Sequence, residues 1–325
     1  HRRNHPMRLI ASLLAAALAW SAPAAASDYP NRPIRVLHGF AAGGNADIVA
    51  RIMGEEMRKT LGQSLIVEPR PGAGGNIASQ ATARAEADGY TIVLLTTAHA
   101  ISPALVKSLN FDPVADFQFL SMVTDFPFFI VVNEASRFRT IQDLVAEAKA
   151  KPGTVTAGTA GVGTGHHMGL ELMSSALDVK FVHVPYRGDS GAITGVLGNS
   201  VDFIIAPGAA VLSSIEGGKL RALAVTGPQR WPATPSVPTL SESVSPGLQM
   251  MAWIGFAAPK DTPRPVVDRL NTAIRQAVDT PDVRARLASL GGYPSTSTPE
   301  EMTRRVTEQI TLWKDVATKA GMQAQ

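Results

Sequence analysis

Three stretches of this 325-residue chain set glycines close together between a candidate strand and a candidate helix: Gly43-Gly44, Gly72-Ala73-Gly74-Gly75, and Gly161-Val162-Gly163-Thr164-Gly165. Glycine lets neighbouring backbone N–H groups turn toward one point, and the helix that follows adds the positive end of its dipole. Such loops hold a carboxylate or a phosphate without breaking any bond. A tight turn alone also calls for glycine, so a single loop leaves both readings open. Two loops in one half of the chain and a third in the other favour a shared anionic guest, held outside the carboxyl ends of the strands.

Arg70 and Arg187 each stand beside a Pro/Gly turn, where a guanidinium can meet a carboxylate in bidentate fashion or sit in a surface ion pair. Asp47 opens a helix, either as a cap or as a contact to the guest. His167 reads as a pocket hydrogen-bonder or a helix-start residue, and His38, His99 and His183 as satisfied strand or core residues. Trp253 reads as core or hinge packing.

Other chemistries lack their residues. The dinucleotide pattern G-x-G-x-x-G would need glycine where Ile77 or His166 stands, and no phosphate-binding G-x-x-x-x-G-K-[ST] occurs. There is no G-x-S-x-G, and no nucleophile and base can be paired. His166 and His167 are adjacent, so on a helix they point about 100° apart and share no metal. The chain has no cysteine, which removes disulfides, thiolate catalysis and cysteine-bound zinc. No cofactor, no metal and no catalytic residue are therefore expected.

The elements that must position these loops alternate. Residues 34–38 read as a strand, 39–45 as glycine loop and 47–61 as a helix; residues 65–67, 69–76 and 77–86 repeat the plan, and 90–96 follow as a buried strand. Residues 119–124 and 128–132 read as strands on either side of Pro127, and 141–150 as an amphipathic helix. Strand 155–157, loop 158–165, helix 166–177, strand 181–184, helix 190–197 and strands 201–206 and 220–225 form a second group. After a proline-rich passage come a strand at 253–257 and helices at 263–278, 281–290 and 298–320. Strands alternating with helices imply a mainly parallel sheet covered on both faces.

The amino end reads as a secretory leader through residue 26: Arg2, Arg3 and Arg8 precede an apolar run to Trp20 and a small-residue stretch, with Met7 the natural initiator. No cysteine lies near the cleavage region, so a lipid anchor is excluded. Removing that segment takes away three arginines and no acids, leaving 27 bases against 27 acids. A chain without basic excess lacks the electrostatic term on which nucleic-acid binding depends.

Five segments carry a resemblance: GFAAGGNADIVAR (39–51), VEPRPGAGGNIASQATARAEADGYTI (67–92), VPYRG (184–188), GKLRALAVTGPQR (218–230) and PSVPTLSE (235–242). Together they resemble the tripartite tricarboxylate transporter receptors, also called Bug receptors, along the whole chain after the leader. The resemblance implies an α/β fold of the two-lobed periplasmic binding protein type. In this type II Venus flytrap each lobe is a mainly parallel sheet flanked by helices, and crossing strands make the hinge. Residues 27–127 with 250–325 would form lobe one and residues 128–249 lobe two. It implies a monomeric periplasmic receptor, not an enzyme, that captures a small organic acid and delivers it to membrane transporter subunits. The family's ligands are citrate-like acids, dicarboxylates, acidic amino acids and aromatic acids. A sensory receptor feeding a signalling partner, or a periplasmic enzyme, is the alternative.

By position, the resemblance assigns the proximal carboxylate to Phe40, Ala41, Ala42, Gly43, Gly44, Asn45 and Asp47 in one loop and to Gly72, Ala73, Gly74, Gly75 and Asn76 in another. It assigns the distal end to Thr159, Gly161, Gly163, Thr164 and His167, with Tyr186, Arg187, Gly188 and Asp189 at the next turn. Gly39 stands where the family pattern commonly has proline, Pro69 where asparagine is frequent, and Ala87 where proline often precedes DGYT. Asp189 replaces a usual small residue: it either caps its helix or repels a second ligand carboxylate, favouring a monocarboxylate, an amino acid or an aromatic acid over citrate.

Overall fold

The computed structural model describes residues 29–324, so the leader expected at residues 1–26 lies outside the described residues. From the amino end run β1 (Ile34–His38), α1 (Asn45–Leu61), β2 (Leu65–Pro69), a 3-10 turn (Ala73–Gly75), α2 (Asn76–Ala83), β3 (Thr91–Thr96) and α3 (Thr97–Leu105). The long strand β4 (Phe117–Asn133) leads to α4 (Ile141–Ala150), β5 (Thr156–Thr159), α5 (Gly165–Leu177), β6 (Val182–Pro185), α6 (Asp189–Leu197) and β7 (Phe203–Pro207). Next come α7 (Gly208–Glu216), β8 (Leu220–Val225) and α8 (Leu240–Ser243). The chain closes with β9 (Met251–Pro259), α9 (Arg264–Asp279), α10 (Pro281–Ser289), β10 (Tyr293–Pro294) and α11 (Pro299–Lys319).

The strands lie in the order β2-β1-β3-β9-β4-β7-β5-β6, with β8 and β10 also on β4. β2, β1 and β3 are mutually parallel, as are β6, β5 and β7. Antiparallel pairing is confined to β4, β9 and their neighbours, where the two halves join. Each helical crossover buries its sheet face: β1, β3, α1 and α9 share one apolar cluster, while β7, α6 and α7 share another. A third cluster runs through both halves and includes Trp253 and Trp313. α11 packs on α3 and on α5, helices that belong to different halves.

β4 is one strand where two were expected. Its residues through Pro127 pair with β9, Pro127 facing Met251, and from Phe128 it pairs with β7, Phe128 facing Pro207. Proline donates no hydrogen bond, and here it sits at the change of partner, where the loss is tolerated. Thr226, fully buried, ties the crossing together. Its hydroxyl donates to the Met250 carbonyl at 2.6 Å and accepts from the Phe128 amide at 2.8 Å. Its own amide donates to the Phe128 carbonyl at 2.9 Å, and its carbonyl accepts from the Met250 amide at 2.8 Å.

α3 and α7 have no counterpart in the sequence reading. α3 (TAHAISPAL) carries Pro103 and shows no polar stripe, because most of it is buried. It is started by Thr96, whose hydroxyl accepts from the Ala98 amide. α11, by contrast, begins with the Thr298 and Glu301 capping box, a signal visible in the sequence.

Candidate functional site

The first glycine loop leaves β1 and enters α1 under the control of one carboxylate. Asp47 is buried, and four hydrogen bonds converge on it. His38 Nε2 lies 2.9 Å from Oδ1, the Gly43 amide donates to Oδ2 at 3.0 Å, and Arg51 donates through Nε to Oδ2 and Nη2 to Oδ1 at 2.9 and 3.1 Å. The Arg51 guanidinium, above all, holds this carboxyl well below the usual range, at about 2. Ala41, Ala42, Gly43 and Gly44 are left exposed, and the first intrahelical bond, Ile48 to Gly44, leaves the amides of Asn45, Ala46 and Asp47 without helical acceptors.

The second loop touches the first through backbone. A Cβ on Gly39 would lie 2.1 Å from Gly75 Cα, and the Phe40 ring covers Gly75. Ala73, Gly74 and Gly75 all have positive φ, and the Gly75 and Asn76 amides turn back to the Gly72 and Ala73 carbonyls, so the amides left to a guest at the start of α2 are those of Ala73 and Gly74. Two side-chain bonds hold α2 against α3: Ser102 donates to Asn76 Oδ1 at 2.9 Å, and Ser79 Oγ lies 3.2 Å from His99 Nδ1. His99 Nε2 donates to the Pro113 carbonyl at 2.8 Å. Burial of the ring pushes His99 down to about 4.

In the other half the loop between β5 and α5 is braced from behind. Thr159 is inaccessible; its hydroxyl lies 2.6 Å from His183 Nε2 and accepts from the Gly161 amide at 3.3 Å. His167 stacks on His183 with ring centroids 4.0 Å apart, and its Nδ1 accepts from the Gly163 amide at 3.2 Å. Burial, with His167 beside it, pushes His183 down to about 4, so the ring is neutral. Thr164 caps α5, accepting from the His167 amide. The Tyr186 ring fills a slot beneath α6 where Gly158, Gly191 and Gly195 lack side chains.

Asp47, Thr159 and His167, expected among the ligand contacts, thus turn their side chains inward and position loops instead. Tyr186 is likewise structural. Arg70 is 3.7 Å from Glu68, whereas Arg187 is exposed and makes no ion pair to a described residue. Gly188, at φ +86°, turns the chain into α6. Trp253 is fully buried on β9.

A cavity of about 430 Å³ lies between the halves. Ala73, Gly74 and Asn76 line one side and Val162 and Gly163 the other, with Leu105 of α3 reaching Gly163. Ligand sites of small molecules begin near about 300 Å³, so the space admits a small organic ion. No residue of the first loop lines this cavity; that loop packs on Gly75, next to the lining residues Gly74 and Asn76. A larger cavity of about 530 Å³, with Trp231 and Tyr293 in its wall, contains no residue of the glycine loops. Thr226 and Phe128 escaped the sequence reading as site residues, and His166 was weighed there only as a metal ligand; Thr226 left a signal, as the polar residue ending an apolar strand.

The neutral histidines carry a prediction. Both folded values lie below the ordinary 6.5, so the unfolded chain binds the extra protons; stability is full above about pH 6.5 and falls as the pH drops toward 4. NMR titration should find His99 and His183 still neutral at pH 5.5, with the melting midpoint declining across that window. Protonation of either ring above pH 6 would contradict it.

The chain matches the model of the tripartite tricarboxylate transporter family receptor over residues 49–322. Among solved structures it is similar to the periplasmic binding protein BugD, at 33% identity and TM-score 0.78, covering 91% of this chain and all of the other. It is also similar to Rpa4515 of R. palustris with adipate, at 29% identity and TM-score 0.82, covering 92% of this chain and all of that one. MatC of Rhodopseudomonas palustris with bound malate matches at 31% identity and TM-score 0.77, covering 89% and 99%.

Proposed function

This chain belongs to the tripartite tricarboxylate transporter receptor family, and from that premise we propose that one small organic carboxylate bridges its two lobes before delivery to membrane transporter subunits. The protein is a substrate-binding receptor of the solute-binding type. In this reading lobe one comprises residues 27–127 and 250–325, lobe two residues 128–249, and the receptor acts as a monomer in the periplasm without chemical change to its cargo. The amides that the loops do not use themselves, those of Ala41, Ala42 and Asn45 in one and of Ala73 and Gly74 in the other, take the proximal carboxylate. Gly161, Gly163, Thr164, Arg187 and Gly188 face the distal end.

The single observation that carries this reading is the cavity in which Gly74 of one lobe faces Gly163 of the other. A guest touching both favours the closed arrangement by its differential affinity, with β4 and its Thr226 node as the axis. Adipate on Rpa4515 and malate on MatC support a carboxylate as the class. The test is thermal shift of the purified protein against short carboxylates, hydroxy acids, amino acids and aromatic acids. An acid at 100 times its dissociation constant should stabilise the fold by about 2.7 kcal/mol. If none moves the melting temperature, the receptor reading of this cleft fails.

A further inference from the structure

The starts of α5 and α6 meet in lobe two, and two ionisable side chains face each other there. His166 Nε2 lies 3.0 Å from Asp189 Oδ1, with the imidazole also edge-on to Phe128 of the hinge strand at 4.9 Å. The short distance is not a hydrogen bond, because the oxygen lies off the ring's N–H axis. His166 Nδ1, His166 Nε2 and Asp189 Oδ1 are all buried and bond to nothing in the protein. A helix cap does not account for Asp189: α6 starts at Gly188 with no side-chain cap bond. Buried polar atoms left without partners are costly, and two of these, Nε2 and Oδ1, lie against each other with neither satisfied, which points to a group that completes them.

The position of the pair says what that group belongs to. His166 follows the loop whose Gly163 lines the interlobe cavity, and Asp189 follows Arg187 and Gly188 at the neighbouring turn. Both helix starts carry first-turn amides and the positive end of a dipole, an arrangement that would otherwise attract an anion. Here the protein's own carboxylate already stands between them. A second carboxylate from the ligand would meet Asp189 at close range in a partly desolvated site, whereas a hydroxyl, amide or ammonium would donate to Oδ1 and complete it.

Resting on the receptor reading above, we propose that His166 and Asp189 form the specificity element of lobe two and select a carboxylate whose far end donates a hydrogen bond, rejecting dicarboxylates. Titration calorimetry at pH 7.5 with near-isosteric pairs tests this: glutamine against glutamate, and 4-hydroxybutyrate against succinate, with butyrate as reference. The donor-bearing member of whichever pair binds should do so at least tenfold more tightly than its diacid. Asp189→Asn should shrink that ratio below threefold by strengthening the diacid. His166→Gln, a second variant, should weaken the donor-bearing acid. The proposal is overturned if the diacid binds as tightly as its partner in the wild type, or if Asp189→Asn leaves the ratio where it was. Absence of binding by every probe, butyrate included, would instead remove the receptor reading, and this proposal with it.

Discussion

Gly39→Ala should abolish carboxylate binding, weakening it at least a hundredfold, and cost about 3 kcal/mol of stability. The added Cβ would lie 2.1 Å from Gly75 Cα and 2.9 Å from Gly75 C and O, distances that only backbone movement can relieve. Neither loop yields easily. Gly39 follows a strand paired on both sides, and Gly75 is held at φ +98° between the Gly72 turn and α2. The loops must therefore part, and the amides of both that face one carboxylate move off their common target, which binding geometry does not forgive. Gly75→Ala is the internal control. Its Cβ would meet nothing nearer than 3.8 Å, so it suffers only the strain of a positive φ, about 1 to 2 kcal/mol. Denaturant unfolding and calorimetry on the two variants should rank Gly39→Ala as the more damaging. An unchanged affinity in Gly39→Ala would mean that the loops do not act as one site.

That contact also marks how far the sequence could be read. Each glycine cluster was legible as a loop between strand and helix, because the cue is local: strand, glycines, amphipathic helix. β1, α4 and β8 likewise have the bounds their apolar runs predict. The touch between Gly39 and Gly75 was not legible, since it is fixed by the parallel pairing of β1 and β2 and involves no side chain. Thr159 and His167 are assigned to the ligand's distal end by the family resemblance, which carries positions but not the direction of a side chain. Their partner, His183, comes from a different strand, and only the β5 to β6 register brings it behind the loop. α7 (GAAVLSSIE) offered small residues without a polar face, so its helical period was hidden. The strand through Pro127 was split for the opposite reason: a local rule about proline outweighed a change of partner that only the assembled sheet reveals.

Asp47→Ala should lower stability by about 3 kcal/mol or more, the cost of leaving a buried cluster without its shared acceptor. Arg51 contributes little to that cost, because its side chain is 57% exposed and finds water when the carboxylate goes. The heavier losses are the inaccessible His38 ring, whose Nδ1 already lacks a partner, and the Gly43 amide that shapes the first loop. Asp47→Asn should cost less, since one amide oxygen still accepts from Gly43 or Arg51, yet it cannot accept the bidentate guanidinium and face His38 as well. Acid separates this carboxylate from the neutral histidines. With a folded value of about 2 against the ordinary 3.8, Asp47 stabilises fully above about pH 4, and that contribution, about 2 kcal/mol, disappears as the pH falls through 2. The histidine loss runs from pH 6.5 down to 4, so wild-type stability should decline in two successive windows. Asp47→Asn should keep the upper window and lose this carboxyl's share of the lower one, because its side chain no longer titrates while other carboxyls held low, such as Glu68, remain. A stability profile for Asp47→Asn parallel to wild type between pH 4 and 2 would show that this carboxyl is not what orders the first glycine loop.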